Sequence, residues 1–344
     1  MTYSVYQHWD PLRVCVVGRS YPPEFYSWIT VPHVRKLFER IAIETEEDYQ
    51  NIIKKLESFG VEVLRPVVFS DLGYYLMPDD SKYIAPPMTP RDSSIMIGNV
   101  FFETLTSTRW KTGYEHIIEH VKKQGNAVKK NHISKAPGAY ITRLGQDLYF
   151  GTETYNQDQI KYREQINAEF TTTRNHIVNT GGHSDATYCP VCPGLIISLA
   201  DVPTYADTFP GWEVVYLPGQ SWSAVQPFLD LKRKNKGKWW IPGFEHDQNV
   251  IDVVETWLGH WTGYVEETVF DVNMLIIDPK NVMVFNYNKQ VFDALERYGI
   301  TPHVVPFRHR YFWDGGIHCI TSDLHREGAM QDYFPERTNV PQDT

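Results

Sequence analysis

The chain has only four cysteines among 344 residues, too few for a disulfide framework. Reduced thiols, free for chemistry, are the expectation. No apolar run approaches the ~20 residues that span a bilayer. The opening MTYSVYQHWD lacks the basic start and apolar stretch of a secretory leader. The reading is a cytoplasmic protein with no membrane partner. Basic residues are not in excess either. A formal charge of -9 argues against a nucleic-acid partner, and the longest basic run, KRKNKGK (232–238), reads as a solvated loop. No low-complexity linker divides the sequence, which reads as one domain, 1–344, with a polar tail fraying from 336. Aromatics are plentiful, with 21 Tyr, 17 Phe and 10 Trp. They suit a well-walled pocket, although most will be core.

What is present is an α/β pattern. RVCVVGR (13–19) is a β-branched run that reads as a strand. Within 44–59 the apolar residues Ile52, Ile53, Leu56 and Phe59 fall at helical spacing, and Gly60 follows as a stop. VEVLRPV (61–67) then reads as a strand again. A looser motif recurs along the chain: polar residues, an apolar strand, a small or polar stop. Its instances lie at 91–99, 143–152, 183–198, 271–286 and 314–323, with helices expected at 113–123, 155–170 and 289–298. The spacing is too irregular for a solenoid. It fits several β-rich blades around a centre, each offering polar residues at one end.

The densest chemistry is DGGIHCITSDLH (314–325). A free thiol is only slightly ionised at neutral pH, so a nucleophilic Cys319 needs a base or a positive charge nearby. On a strand His318 would point to the opposite face, which makes a distant histidine the better partner. Taken alone, Cys319 reads as a buried structural cysteine more readily than as a nucleophile. In GGHSDAT (181–187), His183 and Asp185 are two apart and would share a face of an extended strand. That pair suits a base beside a cation binder; a turn closed by a hydrogen-bonded Asp is the plainer alternative. CPVC (189–192) has neither the order nor the spacing of a zinc deaminase signature, and a redox pair would open a helix, so no metal is expected. In TPRDSSIMIGN (89–99), Pro90 favours an extended or turn conformation and Asp92 is placed at the start of a strand, with an aspartate at a turn as the plainer reading.

In this order, these motifs resemble the glycine amidinotransferase family over most of the chain. HWDPLRVCVVGR, TPRDSSIMIGNVFFE, ITRLGQDLYFG, HSDATYCPVCPGLIIS, VNMLIIDPKNVMV, YGITPHVVPFR and GGIHCITSDLHREG carry the resemblance. It implies an α/β pentein fold, five ββαβ blades about a pseudo-fivefold axis, with the active site in the central channel. It implies transfer of an amidino group from a guanidine, usually arginine, to an amine, with ornithine the product left from arginine. It makes Cys319 the nucleophile and His183 the general acid and base, with Asp92 and Asp185 holding the guanidinium. Arg91, Gly316, His318, Glu266 and Glu267 are expected to bind substrate. No cofactor is expected, and relatives suggest a homodimer. A deiminase or dihydrolase of the same superfamily, or an inactive guanidine-binding protein, are the alternatives. Two carboxylates near Cys319 should raise its pKa in the empty enzyme, and a cationic substrate should lower it again.

Three departures accompany the resemblance. The acid that pairs with the family's catalytic histidine falls near Pro137, where no carboxylate stands; Asp147 matches a different family aspartate. The arginine that receives the substrate carboxylate falls at Val202. A pair of serines falls at about Glu266 and Glu267. These changes remove a cationic anchor and add acids. They point to a more cationic substrate, or one that is not an α-amino acid, such as a polyamine, an aminated sugar or a modified base.

Overall fold

The structure, a computed structural model, describes residues 1–69, 71, 83–104, 113–130, 137–152, 158–199, 205–217, 241, 243–244, 246–258, 269–313 and 315–337. Among the described residues, fifteen strands fall into five three-stranded sheets. In chain order they are β1 (Leu12–Val17), β2 (Glu62–Leu64), β3 (Ser94–Ile97), β4 (Val100–Glu103), β5 (Ala127–Lys130), β6 (Ile141–Leu144), β7 (Asp147–Thr152), β8 (Arg174–Asn179), β9 (Tyr188–Cys192), β10 (Leu195–Ser198), β11 (Glu213–Tyr216), β12 (Leu275–Asp278), β13 (Asn281–Val284), β14 (Thr301–Val304) and β15 (Thr321–Arg326).

Every blade has the same build. Two strands form an antiparallel hairpin, as β3 with β4 and β6 with β7. The third returns parallel to the second, as β5 beside β4 and β8 beside β7. A parallel return needs a crossover, and a helix supplies it each time, from Pro32–Ser58 in the first blade to Lys289–Arg297 in the last. The first blade is closed by the chain's two ends. Its inner strand is β15, antiparallel to β1 with Cys15 opposite Asp323, while β2 runs parallel to β1. This is the pentein propeller, α/β in class, that the resemblance implies.

Burial shows which way the blades face. The leading strands β3, β6, β9 and β15 are buried at every position. The third strands β5, β11 and β14 are mostly half-buried or exposed. A strand buried along its whole length must be covered on both faces, so the five leading strands converge on the axis and the third strands form the rim. The crossover helices seal the outer faces. On Pro32–Ser58, the inward residues Phe38, Ile41, Tyr49, Ile52 and Leu56 repeat at helical spacing and are almost completely buried. Each stabilises the fold by roughly 1.5–3 kcal/mol of transfer free energy.

Several expectations shift in detail. The first helix starts at Pro32, well before 44, because Val34, Leu37 and Phe38 extend the same apolar stripe. The expected helices at 113–123, 155–170 and 289–298 are Glu115–Lys123, Asp158–Glu169 and Lys289–Arg297. The tail is tied down at Arg337, whose Nη1 donates to Asp147 Oδ1 at 2.9 Å and Tyr149 Oη at 2.8 Å. Residues 338–344 lie outside the described residues.

Candidate active site

Each leading strand is preceded by a tight turn, and those turns carry the chemistry. They are Pro90–Ser93 before β3, Gly138–Tyr140 before β6, Ser184–Ala186 before β9, Val269–Val272 with Asn273 before β12, and 316–320 before β15. The turns link into a ring around the axis. Arg91 Nε donates to the His318 carbonyl at 2.9 Å, and Ser184 Oγ to the Tyr140 carbonyl at 2.8 Å. Asn273 Nδ2 reaches the Asp185 carbonyl at 3.0 Å and Cys319 Sγ at 3.0 Å. Gly138 closes the remaining link, since a Cβ there would collide with the Arg91 and Ser94 carbonyls.

Cys319 is buried at the centre of this ring. Its Sγ lies 3.5 Å from Asp185 Oδ2, the acceptor for the thiol proton. Asp185 Oδ2 also takes a hydrogen bond from His318 Nδ1 at 2.8 Å. Burial first, then the charges of Asp185 and Asp92, raise the Cys319 pKa well above that of an ordinary thiol. The direction is the one expected from the carboxylates, with desolvation as the larger cause. The thiol is therefore protonated at neutral pH in the empty protein.

The carboxylates differ from each other. Burial disfavours charge on Asp185, but the His318 hydrogen bond and nearby positive groups more than offset it, and its pKa is lowered. His318 is itself pushed down to about 4 by burial and by Arg91, against the pull of Asp185. At neutral pH it is a neutral ring whose Nδ1–H orients the aspartate. Asp92 is raised, first by burial, with Asp185 adding to it. Its Oδ1 lies 3.7 Å from His183 Nδ1, within ion-pair reach but too far for a hydrogen bond. The side chains of His183 and Asp92 remain 37% and 24% exposed, so a ligand can reach both. Asp92 Oδ1 and Asp185 Oδ1 are buried atoms without a hydrogen-bond partner among the described residues. Buried carboxylate oxygens left in that state are costly.

Below the ring lies a second polar layer. Asp323 accepts two bonds from Arg143 Nη2, at 2.8 and 2.9 Å, one from Arg91 Nη2 at 3.1 Å and one from Arg326 Nε at 2.6 Å. Arg326 Nη2 continues to the Ile276 carbonyl and Arg143 Nη1 to the Met96 carbonyl, so this knot binds several blades together.

The structure brings Cys319, His183, Asp185 and Asp92 to one place, with three local corrections. Asp92 sits in a helical turn, not at the start of a strand. Asp185 lies in a 3-10 turn after His183, so a shared strand face is not what aligns the two. Cys319 and His318 lie in the turn before β15. Turn geometry lets both reach Asp185, where strand alternation would have separated them. Arg91 is fully buried and turned into the Asp323 knot, with its Nη1 left without a hydrogen-bond partner among the described residues. Gly316 acts through its missing side chain, because a Cβ would overlap Asn273. Among the described residues near Pro137 no acid supports His183; the ring of Tyr140 packs edge-on against it at 4.9 Å, and Asp92 supplies the neighbouring charge. Asp147 is a structural anchor for Arg174 and Arg337. Glu266, Glu267 and Val202 lie outside the described residues. Cys189 and Cys192 are buried, unbonded thiols on β9.

Sequence reasoning missed Asn273 and the partnership of His318 with Asp185. Asn273 stands at the head of VNMLIIDPKNVMV, a segment that carries the resemblance and the recurring motif but to which the sequence reading assigns no site residue. A lone polar residue immediately before a buried apolar run was the available signal.

Fold and site together define a pentein with a thiol, two histidines and two carboxylates on its axis. No family profile matches the chain. It is similar to the mitochondrial glycine amidinotransferase of Xenopus laevis, 24% identical over 397 aligned residues that cover 96% of this chain and 84% of that protein. Among solved structures it is similar to SxtG, an amidinotransferase of the saxitoxin biosynthetic pathway from Microseira wollei. The TM-score is 0.67 at 18% identity, with 97% of this chain and 100% of that one covered. The inosamine-phosphate amidinotransferase StrB1 from Streptomyces griseus gives a TM-score of 0.66 at 19% identity, covering 96% of this chain and 99% of its own. Among the described residues no helix is long and apolar enough to cross a membrane.

Proposed function

We propose that the protein is an amidinotransferase that moves an amidino group from a guanidine donor, arginine in the first instance, to an amine acceptor through S-amidino-Cys319. The observation that carries this reading is the pair of unpartnered buried oxygens, Asp92 Oδ1 and Asp185 Oδ1, beside a buried thiol. A guanidinium is planar and cationic and presents several N–H donors. It would satisfy both oxygens through charge-assisted bonds worth roughly 1.5–3 kcal/mol each, and hold its central carbon for attack by sulfur. Its charge would also offset the two carboxylates that keep the thiol protonated, so ionisation and binding are coupled.

In this reading the Cys319 proton passes to His183 as sulfur bonds to the guanidine carbon. The carbon–nitrogen bond to the donor amine then breaks, and His183 returns the proton to that nitrogen. The acceptor amine attacks the S-amidino carbon and gives a proton to His183. The carbon–sulfur bond breaks with its electrons returning to sulfur, which is reprotonated. Asp92 stabilises His183 while it carries the proton, in place of the acid missing near Pro137.

The test is intact-mass analysis after incubation with arginine. An amidino adduct located on Cys319 and missing from Cys319→Ala is the expected result. Adding a panel of amines, polyamines and amino sugars included, should discharge it into a new guanidine. Discharge without any amine would replace transfer by hydrolysis. The lack of an adduct with every guanidine tried would overturn the reading.

A further inference from the structure

We infer that Asn273 is a catalytic residue, an amide that stabilises the Cys319 thiolate while holding the turn that presents it. Its orientation is fixed by its partners. Oδ1 accepts the backbone N–H of His318 at 2.8 Å and of Cys319 at 3.0 Å. Two donors can meet only the oxygen end of the amide. Nδ2 must then face the other way, where it finds two acceptors, the Asp185 carbonyl and Cys319 Sγ, both at 3.0 Å. The side chain is 1% exposed, so neither end is available to water. Gly316 is what admits it, since any Cβ there would occupy the same space.

The sulfur thus lies between donors and an acceptor. It accepts from Asn273 and from the backbone N–H of Gly316, and donates a hydrogen bond to Asp185 Oδ2. When that proton leaves, the acceptor becomes a repulsive neighbour. Asn273 is then a side-chain amide donor placed on the anion, beside the backbone N–H of Gly316. A hydrogen bond to a charged acceptor is stronger than one to a neutral acceptor, so the bond strengthens as the nucleophile forms. Asp185, Asp92, His183, His318 and Arg91 are the titratable or charged groups around this centre, and Asn273 is an uncharged side chain that favours the thiolate without titrating.

The inference rests on Cys319 being the nucleophile, but its test needs no guanidine donor. The rate of Cys319 alkylation by iodoacetamide is measured from pH 7 to 10 by peptide mass, with Cys319→Ser as the blank. Asn273→Ala should alkylate roughly ten- to hundred-fold more slowly, with its profile displaced to higher pH, the size expected for a lost bond to a charged group. A purely structural strut predicts the opposite, because removing it opens the site, relieves desolvation and speeds alkylation. Should Asn273→Ala fail to fold, Asn273→Ser keeps a side-chain oxygen without adding a charge and loses the amide donor to sulfur. It should fold and show the same slowing. A wild-type or faster profile in whichever variant folds would overturn the assignment. Failure of the arginine adduct experiment would leave this result standing, so the two readings fail separately.

Discussion

The two polar layers on the axis use the same residue type in opposite ways. Asp323 is surrounded by Arg91, Arg143 and Arg326, and their charges hold its pKa well below the ordinary carboxylate range despite burial. Asp92, one layer above, has an unpartnered oxygen, and its pKa is raised. The lower carboxylate is completed by the fold. The upper one is completed only when something else arrives. The proposed chemistry falls in the layer that the fold leaves incomplete, and the completed ion pairs fall in the other.

The difference breaks most visibly at Asp323. Asp323→Ala would leave three buried guanidiniums facing each other. The expected loss is about 3–5 kcal/mol, the usual cost of removing one partner from a buried ion pair, read as a lowered urea midpoint or Tm. A loss under about 1 kcal/mol would show that the knot does not hold the blades.

The mirror-image change is Asp92→Asn. It removes a charge that the folded state disfavours. A carboxylate raised in the fold contributes stability below its ordinary pKa and loses it as pH rises through the folded value. At neutral pH the amide should therefore leave the protein as stable as wild type or slightly more stable. Amidino transfer should fall about a hundred-fold, close to 2–3 kcal/mol of lost guanidinium binding and orientation. A variant that loses stability and activity together would place Asp92 with Asp323.

Next comes His318, which joins the layers by touching both Asp185 and Arg91. Its pKa falls from the usual value near 6.5 to about 4 in the fold. The unfolded chain binds more protons in that window, so stability is complete above pH 6.5 and declines as pH falls toward 4. Between pH 6.5 and 5 the decline attributable to this residue is about 2 kcal/mol. His8, also lowered by burial, acts in the same direction. His318→Gln retains an N–H for Asp185 and removes the titration. Its urea midpoint should fall less steeply than wild type over that interval, and an identical slope would assign the acid sensitivity elsewhere.

Much of this was legible in the sequence, and the limits have physical causes. Strand and helix periodicity gave α/β, and GGHSDAT with GGIHC and TPRD gave the residues that the fold gathers on the axis. The pairings were less accessible. Asp185 and His318 are 133 residues apart and meet only because two blades adjoin. Strand alternation misled at both residues, since each sits in a turn where side chains do not alternate. Asn273 stayed hidden for a different reason. Its importance depends on an amide oriented by two backbone N–H groups 45 and 46 residues downstream, and single-sequence patterns carry no such information.

The smallest predicted effect calibrates the others. At the rim, Arg297 Nη2 meets Glu213 Oε1 at 2.5 Å, with side chains 53% and 41% exposed. The chemistry matches the Asp323 knot, a guanidinium against a carboxylate, and the contact is no longer than those on the axis. What differs is water. Solvent screens the attraction, and hydration remains available to each group once the other is gone. Arg297→Ala should therefore cost no more than about 1 kcal/mol, in the range of exposed pairs, and adding salt should shrink that difference further. A loss comparable to that of Asp323→Ala would mean that contact geometry alone governs these pairs. The contrast between the layers would then have to rest on something other than their removal from solvent.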